Sequence, residues 1–262
     1  MSLVYVYSIA RGGSPDPVGG LRGVDDGPVR AIRDGALVAF VSEVPEADFA
    51  EVPLNAHLAD MEWLTPRAVR HQDVNAGLAR ICDPLVPLSF GTVFTGDAGV
   101  TRMLRERAAD IGPRFEALQG KAEWIMVVRR DKEKALAALE SGSEALRALR
   151  AQVDAAPPGR AYLAARGLDE TKRQELRATD AGAVGAAIES FERIGGRLFR
   201  EPLVEDAGGG MLARFSVLAG REARAELERV AGSFGTDWLA RGYAIELSGP
   251  WPAYRFSTVD LS

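Results

Sequence analysis

Cysteine and histidine are scarce in this sequence. Cys82 is the only cysteine, and His57 and His71 are the two histidines among 262 residues. One cysteine excludes a disulfide framework and a zinc site built from cysteines. The sequence also has no His-Glu-x-x-His run and no Gly-x-Ser-x-Gly run, which would indicate a zinc protease or a serine hydrolase. We therefore predict no catalytic, cofactor-binding or metal-binding residues.

An excess of positive charge and a long apolar run are also missing. Lys and Arg number 32 against 37 Asp and Glu, a net charge of −5. Nucleic-acid binding needs a basic face, so we expect no nucleic-acid partner. No apolar run approaches the roughly 18 residues of a membrane span, and Met1–Tyr7 lack the features of a signal peptide. Because 47% of the residues are hydrophobic, the chain can bury a packed core. We therefore expect a soluble, globular protein of a reducing compartment, with no membrane partner.

The first 120 residues alternate between strand and helix patterns. Runs of β-branched and aromatic residues predict strands at 3–9, 29–32, 37–41 and 86–90. Asp34-Gly35 between two of these runs indicates a two-residue hairpin. Thr65-Pro66 indicates the start of a helix that ends near Cys82, and Asp97 is expected to cap the next helix, after the apolar stretch Leu85–Phe94. This order predicts an α+β domain over residues 1–120.

A second domain is predicted from Lys121 onward. Its elements follow the order β, α in several pieces, β, β, α, β, which is the order of a ferredoxin-like fold with an enlarged first helical connection. The helical pieces are expected to break at Gly142 and at Pro157-Pro158-Gly159, and the last piece to run from Asp169 to about Phe199. The predicted strands are 121–128, 203–205, 211–218 and 243–247. We therefore place a domain boundary near Gly120 and a ferredoxin-like domain over residues 121–262.

The C-terminal tail, residues 249–262, combines prolines with aromatic residues. Pro250 and Pro252 favour an extended backbone, while Trp251, Tyr254 and Phe256 carry large apolar areas. We expect the tail to pack back on the body, with Trp251 and Tyr254 buried at the junction of the two domains. A partner that docks on the tail is the alternative.

Two features are candidates for a small-molecule site. His71 shares a helical face with Val74 and Leu78, which favours a structural histidine packed against the core; a ligand or acid–base role is the alternative. The glycine-rich loop Arg11–Gly27 follows a strand but lacks the phosphate-binding patterns G-x-G-x-x-G and G-x-x-x-x-G-K-[ST]. The acid pairs Asp25-Asp26 and Glu205-Asp206 lie in predicted loops and are attributed to solubility.

Several stretches resemble the gas vesicle protein F/L family. Pro87-Leu-Ser-Phe-Gly-Thr-Val-Phe94 is similar to the family motif P-x-x-F-G-T-x-F. Further matches follow in the family's order at Tyr5–Tyr7, Arg70-His71, Gly120–Trp124, Gly159–Leu163 and Gly249–Phe256. Ser89 is a departure, because the family usually carries Arg before this Phe-Gly pair.

The resemblance implies an accessory or minor structural protein of the gas vesicle, a gas-filled protein shell in the prokaryotic cytoplasm. It implies a fold similar to the one predicted above, no enzymatic activity and no cofactor. The implied partners are the major hydrophobic shell protein and other gas vesicle accessory proteins. The alternative is a small-molecule-binding or enzymatic ferredoxin-like protein with its site at His71 or in the loop Arg11–Gly27. The ordered motifs favour the first hypothesis, because the second leaves them unexplained.

Overall fold

A computed structural model describes residues 2–16, 20–203 and 210–257. The strands are β1 (Leu3–Arg11), β2 (Arg30–Asp34), β3 (Leu37–Val44), β4 (Leu85–Pro87), β5 (Val93–Thr95), β6 (Lys121–Arg130), β7 (Arg197–Arg200), β8 (Met211–Gly220) and β9 (Tyr243–Trp251). The helices are α1 (Glu46–Phe49), α2 (Glu51–His57), α3 (Met61–Ile81), α4 (Gly96–Leu118), α5 (Lys132–Gly142), α6 (Glu144–Ala155), α7 (Pro158–Glu192), α8 (Arg224–Ser233) and α9 (Gly235–Ala240). This mixed composition with antiparallel pairing confirms the predicted α+β class. No helix among these combines the length and apolarity needed to span a bilayer.

The chain divides into two compact units. The first contains Met1–Glu123 and Pro250–Ser262, and the second contains Trp124–Gly249. We predicted the whole tail to belong to the second domain, whereas residues 250–257 group with the first unit. The first unit is therefore built from two separate stretches of the chain.

The first unit contains an antiparallel sheet in the order β2-β3-β1-β4, with β5 also paired to β1. β1 is buried from Val4 to Ala10, as expected for a central strand. Both α3 and α4 pack against β1. The predicted hairpin between β2 and β3 is confirmed, since Asp34 pairs with Leu37 and Gly35 adopts a positive φ of 55°.

The apolar stretch Leu85–Phe94 forms two short strands rather than one. β4 pairs with residues 8–10 of β1, and β5 pairs with residues 3–5 of the same strand. Between them the chain turns, because the Thr92 N–H and hydroxyl both donate to the Ser89 carbonyl, at 3.3 and 2.8 Å, and Gly91 has a φ of 85°. The single predicted strand at 86–90 is therefore wrong at its C-terminal end, where the turn interrupts the pairing.

Both predicted helix starts in the first unit are wrong. α3 begins four residues before Thr65, because the Asp60 carboxylate accepts hydrogen bonds from the backbone N–H groups of Glu62 and Trp63, at 3.0 and 3.4 Å. Pro66 therefore lies inside the helix. Asp97 lies in the first turn of α4 rather than at its cap. Its carboxylate pairs instead with Arg30, which holds the pKa of Asp97 below its usual value.

The second unit carries the predicted ferredoxin-like order. Its sheet has the order β7-β8-β6-β9, so the first and third strands of the unit lie at the centre. α5, α6 and α7 form the enlarged first connection, with breaks at Gly142 and before Pro158 as predicted. Trp124, Phe191, Phe215 and Tyr243 are the largest fully buried side chains of its core.

Two helix boundaries in the second unit differ from the prediction. α7 is one helix of 35 residues, without the predicted interruption before Asp169. It ends at Glu192 rather than near Phe199, because Gly195 adopts a φ of 74° and the chain then enters β7. β7, which the sequence analysis did not predict, is the partner of β8. Residues 204–209, which include Glu205-Asp206 and most of the predicted strand at 203–205, lie outside the described residues.

Candidate functional site

Residues of four motif stretches meet around His71 inside the first unit. Tyr5 and Tyr7 come from β1, Phe90 and Gly91 from the turn between β4 and β5, and Tyr254 from the tail. Hydrogen bonds or ring contacts join Tyr5, Tyr7, Phe90 and Tyr254 directly to the imidazole of His71. Four of the six stretches that carry the family resemblance are thus assembled at one place, which we call the His71 cluster.

Helix and strand geometry place the polar members of this cluster. His71 and Asn75 lie four residues apart on α3, so they share a face of the helix. A register shift between Val6 and Ser8 makes Tyr7 the extra residue of a β-bulge in β1. A bulge changes the direction of side chains along a strand. The side chains of Tyr5, Tyr7 and Ser8 all lie on the face of the sheet that α3 covers.

Hydrogen bonds connect these side chains to one another. Asn75 Nδ2 lies 3.0 Å from His71 Nε2 and 2.9 Å from Tyr254 Oη. The Ser8 hydroxyl donates to Asn75 Oδ1. Tyr5 Oη lies 2.9 Å from His71 Nδ1 and accepts a hydrogen bond from Gly91 N–H at 3.0 Å. The amide of Asn75 therefore uses both N–H groups and its oxygen inside the cluster.

These bonds assign the tautomer of His71. Because Asn75 Nδ2 donates to Nε2, the ring proton resides on Nδ1, where it faces Tyr5 Oη. The imidazole then accepts at one nitrogen and donates at the other, as a neutral histidine does. No carboxylate is hydrogen-bonded to the ring among the described residues. The partners of the imidazole in this cluster are therefore uncharged.

Burial controls the ionisation of the cluster. It lowers the pKa of His71 from 6.5 to about 4, against an opposing hydrogen bond with the backbone of Leu88. Burial also raises the pKa of the Tyr5, Tyr7 and Tyr254 hydroxyls above their ordinary value. All four side chains are therefore uncharged at neutral pH.

Aromatic rings enclose the imidazole. The ring centroids of Tyr5, Tyr7, Phe90 and Tyr254 lie between 5.7 and 6.0 Å from that of His71. His71 is 5% exposed and Asn75 is fully buried. His71, for which a ligand or acid–base role was the alternative prediction, therefore lies in a packed interior.

The other sequence candidates lie elsewhere. His57 stacks on Trp63 with a centroid distance of 4.5 Å, and Cys82 is buried. Over residues 2–16, 20–203 and 210–257, no three His, Cys, Asp or Glu side chains are grouped so that they could hold a metal ion. Asp25 and Asp26 form ion pairs with Arg67 and Arg70 of α3, at 3.4 and 3.0 Å. This acid pair thus fixes a loop against a helix, which the attribution to solubility missed.

The described parts of the loop Arg11–Gly27 are held by the protein itself. Arg33 donates to the carbonyl oxygens of Gly12 and Ser14, at 2.6 and 2.8 Å, and pairs with Asp16 at 2.8 Å. Val24 N–H donates to Tyr7 Oη at 2.9 Å. Residues 17–19 lie outside the described residues. Carbonyl oxygens of this loop thus accept hydrogen bonds from an arginine. A phosphate-binding loop works in the opposite sense, because its backbone N–H groups donate to the phosphate.

The sequence analysis missed Ser8 and Asn75 as members of the His71 cluster, and it missed the bond between Tyr254 and Asn75. Asn75 lies one helical turn after His71, and this spacing was the available signal. No local pattern could indicate the bond between Asn75 and Tyr254, since 179 residues separate them.

A second group of bonded polar side chains, partly buried, lies in the second unit. Arg130 pairs with Asp180 at 2.5 Å, and Tyr243 Oη donates to the other carboxylate oxygen of Asp180 at 2.8 Å. Burial and the bond to Asp180 raise the pKa of Tyr243 above its ordinary value. These contacts join β6, α7 and β9, so they stabilise the packing of helix on sheet.

Comparison with known proteins gives one consistent answer. The family model described as "Gas vesicle synthesis protein GvpL/GvpF" matches residues 3–258. Gas vesicle protein L of a Streptomyces species is 38% identical over 125 residues, which cover 47% of this chain and 46% of that protein. Gas vesicle protein F of the same organism is 28% identical over 262 residues, which cover 96% of this chain and 98% of that protein.

Solved structures share the fold. The crystal structure of the gas vesicle protein GvpF from Anabaena superposes with a TM-score of 0.75 at 17% identity, over 99% of this chain and all of that chain. GvpF from Microcystis aeruginosa gives a TM-score of 0.67 at 16% identity, over 98% of this chain and 99% of that one. At these identities the likeness concerns the fold alone.

Proposed function

Because this chain belongs to the gas vesicle synthesis protein GvpL/GvpF family, we propose that it is an accessory or minor structural protein of the gas vesicle. In this role it binds the major hydrophobic shell protein and other gas vesicle proteins during assembly of the vesicle in the cytoplasm. It acts by binding rather than by catalysis.

The closure of the His71 cluster is the observation that supports this proposal most directly. His71, Asn75, Tyr5 and Ser8 are at most 5% exposed and bond to one another. A catalytic histidine must reach its substrate, whereas these polar groups are used to hold strand, helix and tail together. The side chains that carry the resemblance here stabilise a scaffold, so we infer that function resides on the outer surface.

A soluble scaffold of this kind suits a hydrophobic partner. A shell subunit with a large apolar face aggregates unless another protein covers that face before assembly. This chain carries a charged exterior and a net charge of −5, which keeps a complex in solution. We further propose that the two compact units are separate domains with a boundary near Gly120, joined again where the tail returns to the first unit.

Co-expression with the major shell protein tests this function. With an affinity-tagged copy of this chain, we expect the shell protein to remain in the soluble fraction and to be retained with the tag. A tagged soluble protein of similar size and isoelectric point is the control. Loss of the shell protein to the insoluble fraction in both samples, with none retained, contradicts the proposal.

A further inference from the structure

An exposed aromatic and aliphatic pair lies at the start of α7, which packs along α6. Tyr162 and Leu163 are 66% and 67% exposed. They belong to Gly159–Leu163, a stretch that matches the family yet lies outside the His71 cluster. Large apolar side chains that are left in water over such a fraction of their surface are candidates for contact with another molecule.

Four arginines lie on α6 and on α7, the helix that carries this pair. Arg160 and Arg166 flank it on α7, and Arg147 and Arg150 lie on α6; all four are exposed. Asp154 is the single acid between residues 145 and 168. None of the four arginines forms a salt bridge within the part of the chain that the structure describes. We call Tyr162, Leu163 and these four arginines the arm surface.

A cleft adjoins the arm surface between the two helices. It has a volume of about 180 Å³ and is lined by Leu146, Arg147, Arg150 and Leu168, with Glu140 and Lys172 at one side. Lys172, and to a smaller degree Arg150, lower the pKa of Glu140. The cleft therefore offers apolar walls under a positive potential, which suits a segment that carries both apolar side chains and carboxylates.

The first unit presents a segment of this chemistry. Residues 46–62 contain five acids and no Lys or Arg. Within this segment Val52 is 81% exposed, Met61 is 66% exposed and Leu58 is 43% exposed. Glu51 and Glu62 are exposed and form no salt bridge among the described residues. We call Val52, Leu58, Met61, Glu51 and Glu62 the acidic surface.

We propose that the arm surface of one copy of this chain binds the acidic surface of a second copy. Four arginines and two exposed apolar side chains then face a segment that carries acids and exposed apolar side chains. Complementary charge selects this pairing over arm with arm or acid with acid, since like charges repel. The two surfaces differ, so the contact is heterologous: each copy keeps one surface of each kind open, and association continues into rings or filaments.

Charge reversal tests the pairing by sedimentation of the full chain over a range of concentrations. We expect the wild type to grow beyond a dimer as concentration rises. Arg150→Glu with Arg160→Glu, or Glu51→Arg with Glu62→Arg, weakens association by roughly tenfold or more, because each makes the two surfaces alike in charge. An equimolar mixture of the two variants restores association, because each surface of one variant is then opposite in charge to the surface that it meets on the other variant. Arg224→Glu with Arg229→Glu, on the exposed face of α8, is the matched control and leaves association unchanged.

Removal of the apolar pair supplies an independent test. Tyr162→Ser with Leu163→Ser weakens association, whereas Leu239→Ser, at a side chain that is 61% exposed on α9, does not. Circular dichroism identifies any variant that fails to fold, and Val52→Ser on the acidic surface then replaces it. A wild type that is monomeric at every concentration, or a mixture of the charge variants that stays monomeric, overturns the proposal.

Discussion

The imidazole of His71 is neutral because the interior around it supplies hydrogen-bond partners but no counter-charge. Asn75 donates to Nε2, and Nδ1–H faces Tyr5 Oη. Protonation places a charge in a packed site that is 5% exposed, and the cost appears as a pKa of about 4. This environment is consistent with the predicted structural role of His71, which we propose for this residue.

For a single residue, the sequence pattern indicates whether the side chain faces the core, but it does not identify the side chains that it contacts there. Apolar spacing on α3 placed His71 toward the core. Its partners come from residues 5, 75 and 254, and only Asn75 lies within reach of a local pattern. The bulge at Tyr7 leaves no sequence signal, because it arises when β1 pairs with β3.

The shifted pKa of His71 predicts how stability depends on pH. Above pH 6.5 neither state of the protein binds the proton. Between pH 6.5 and about 4 the unfolded chain binds it and the folded chain does not, so stability falls as the pH is lowered and then levels off. The loss amounts to about 3 kcal/mol, at roughly 1.4 kcal/mol per pH unit.

Denaturant unfolding of wild type and His71→Gln across this pH range measures the effect. Other groups titrate in both proteins, so the difference between them isolates His71. We expect the wild type to lose stability more steeply than the variant as the pH falls from 6.5 to 4. Parallel pH profiles of the two proteins contradict a buried neutral histidine.

Caps and glycines decide where the elements of this chain begin and end. Gly195 with its positive φ ends the turn that follows α7, and Asp60 begins α3. The sequence pointed to Thr65-Pro66 instead, because a capping residue before proline is a stronger pattern than an Asp before Met. The pattern failed because Asp60, five residues before Thr65, already accepts hydrogen bonds from the first N–H groups of the helix.

Two alanine variants separate these alternative starts of α3. Asp60→Ala removes the acceptor for the N–H groups of Glu62 and Trp63 and costs about 1 kcal/mol of stability. Thr65→Ala, inside the helix, is close to neutral, because alanine has the higher helix propensity. Chemical denaturation of both variants measures the difference. A larger loss for Thr65→Ala than for Asp60→Ala shows that the helix starts at Thr65 in solution.

At the scale of the whole molecule, the order of elements was predictable and the assignment of the tail was not. Strand and helix periodicity is local, so it indicated the β-α-β-β-α-β order from β6 to β9. The placement of residues 250–257 depends on contacts with distant parts of the chain. Asn75 donates to Tyr254 Oη, and Ser257 Oγ donates to the Pro87 carbonyl at 3.1 Å. The expected burial of Trp251 is wrong, since it is 38% exposed.

Residues 250–257 therefore complete the first unit, and Tyr254 contacts α3. Its ring lies 6.0 Å from the imidazole of His71, and its hydroxyl accepts from Asn75. Tyr254→Phe leaves one N–H of a buried amide without an acceptor, which costs roughly 1–3 kcal/mol. Tyr254→Ala also removes the ring and leaves a cavity, so its cost is larger, about 3–5 kcal/mol.

Amide hydrogen exchange locates this loss within the molecule. Because residues 250–257 group with the first unit, we expect both Tyr254 variants to accelerate exchange in β1, with the alanine variant faster, while exchange in β8 of the second unit stays near that of the wild type. Val69→Ala, at a side chain that is 56% exposed on the same helix as Asn75, is the matched control and leaves both strands unchanged. Equal acceleration in β1 and β8 shows that the two units unfold as one, and unchanged exchange in β1 shows that the tail does not stabilise the first unit.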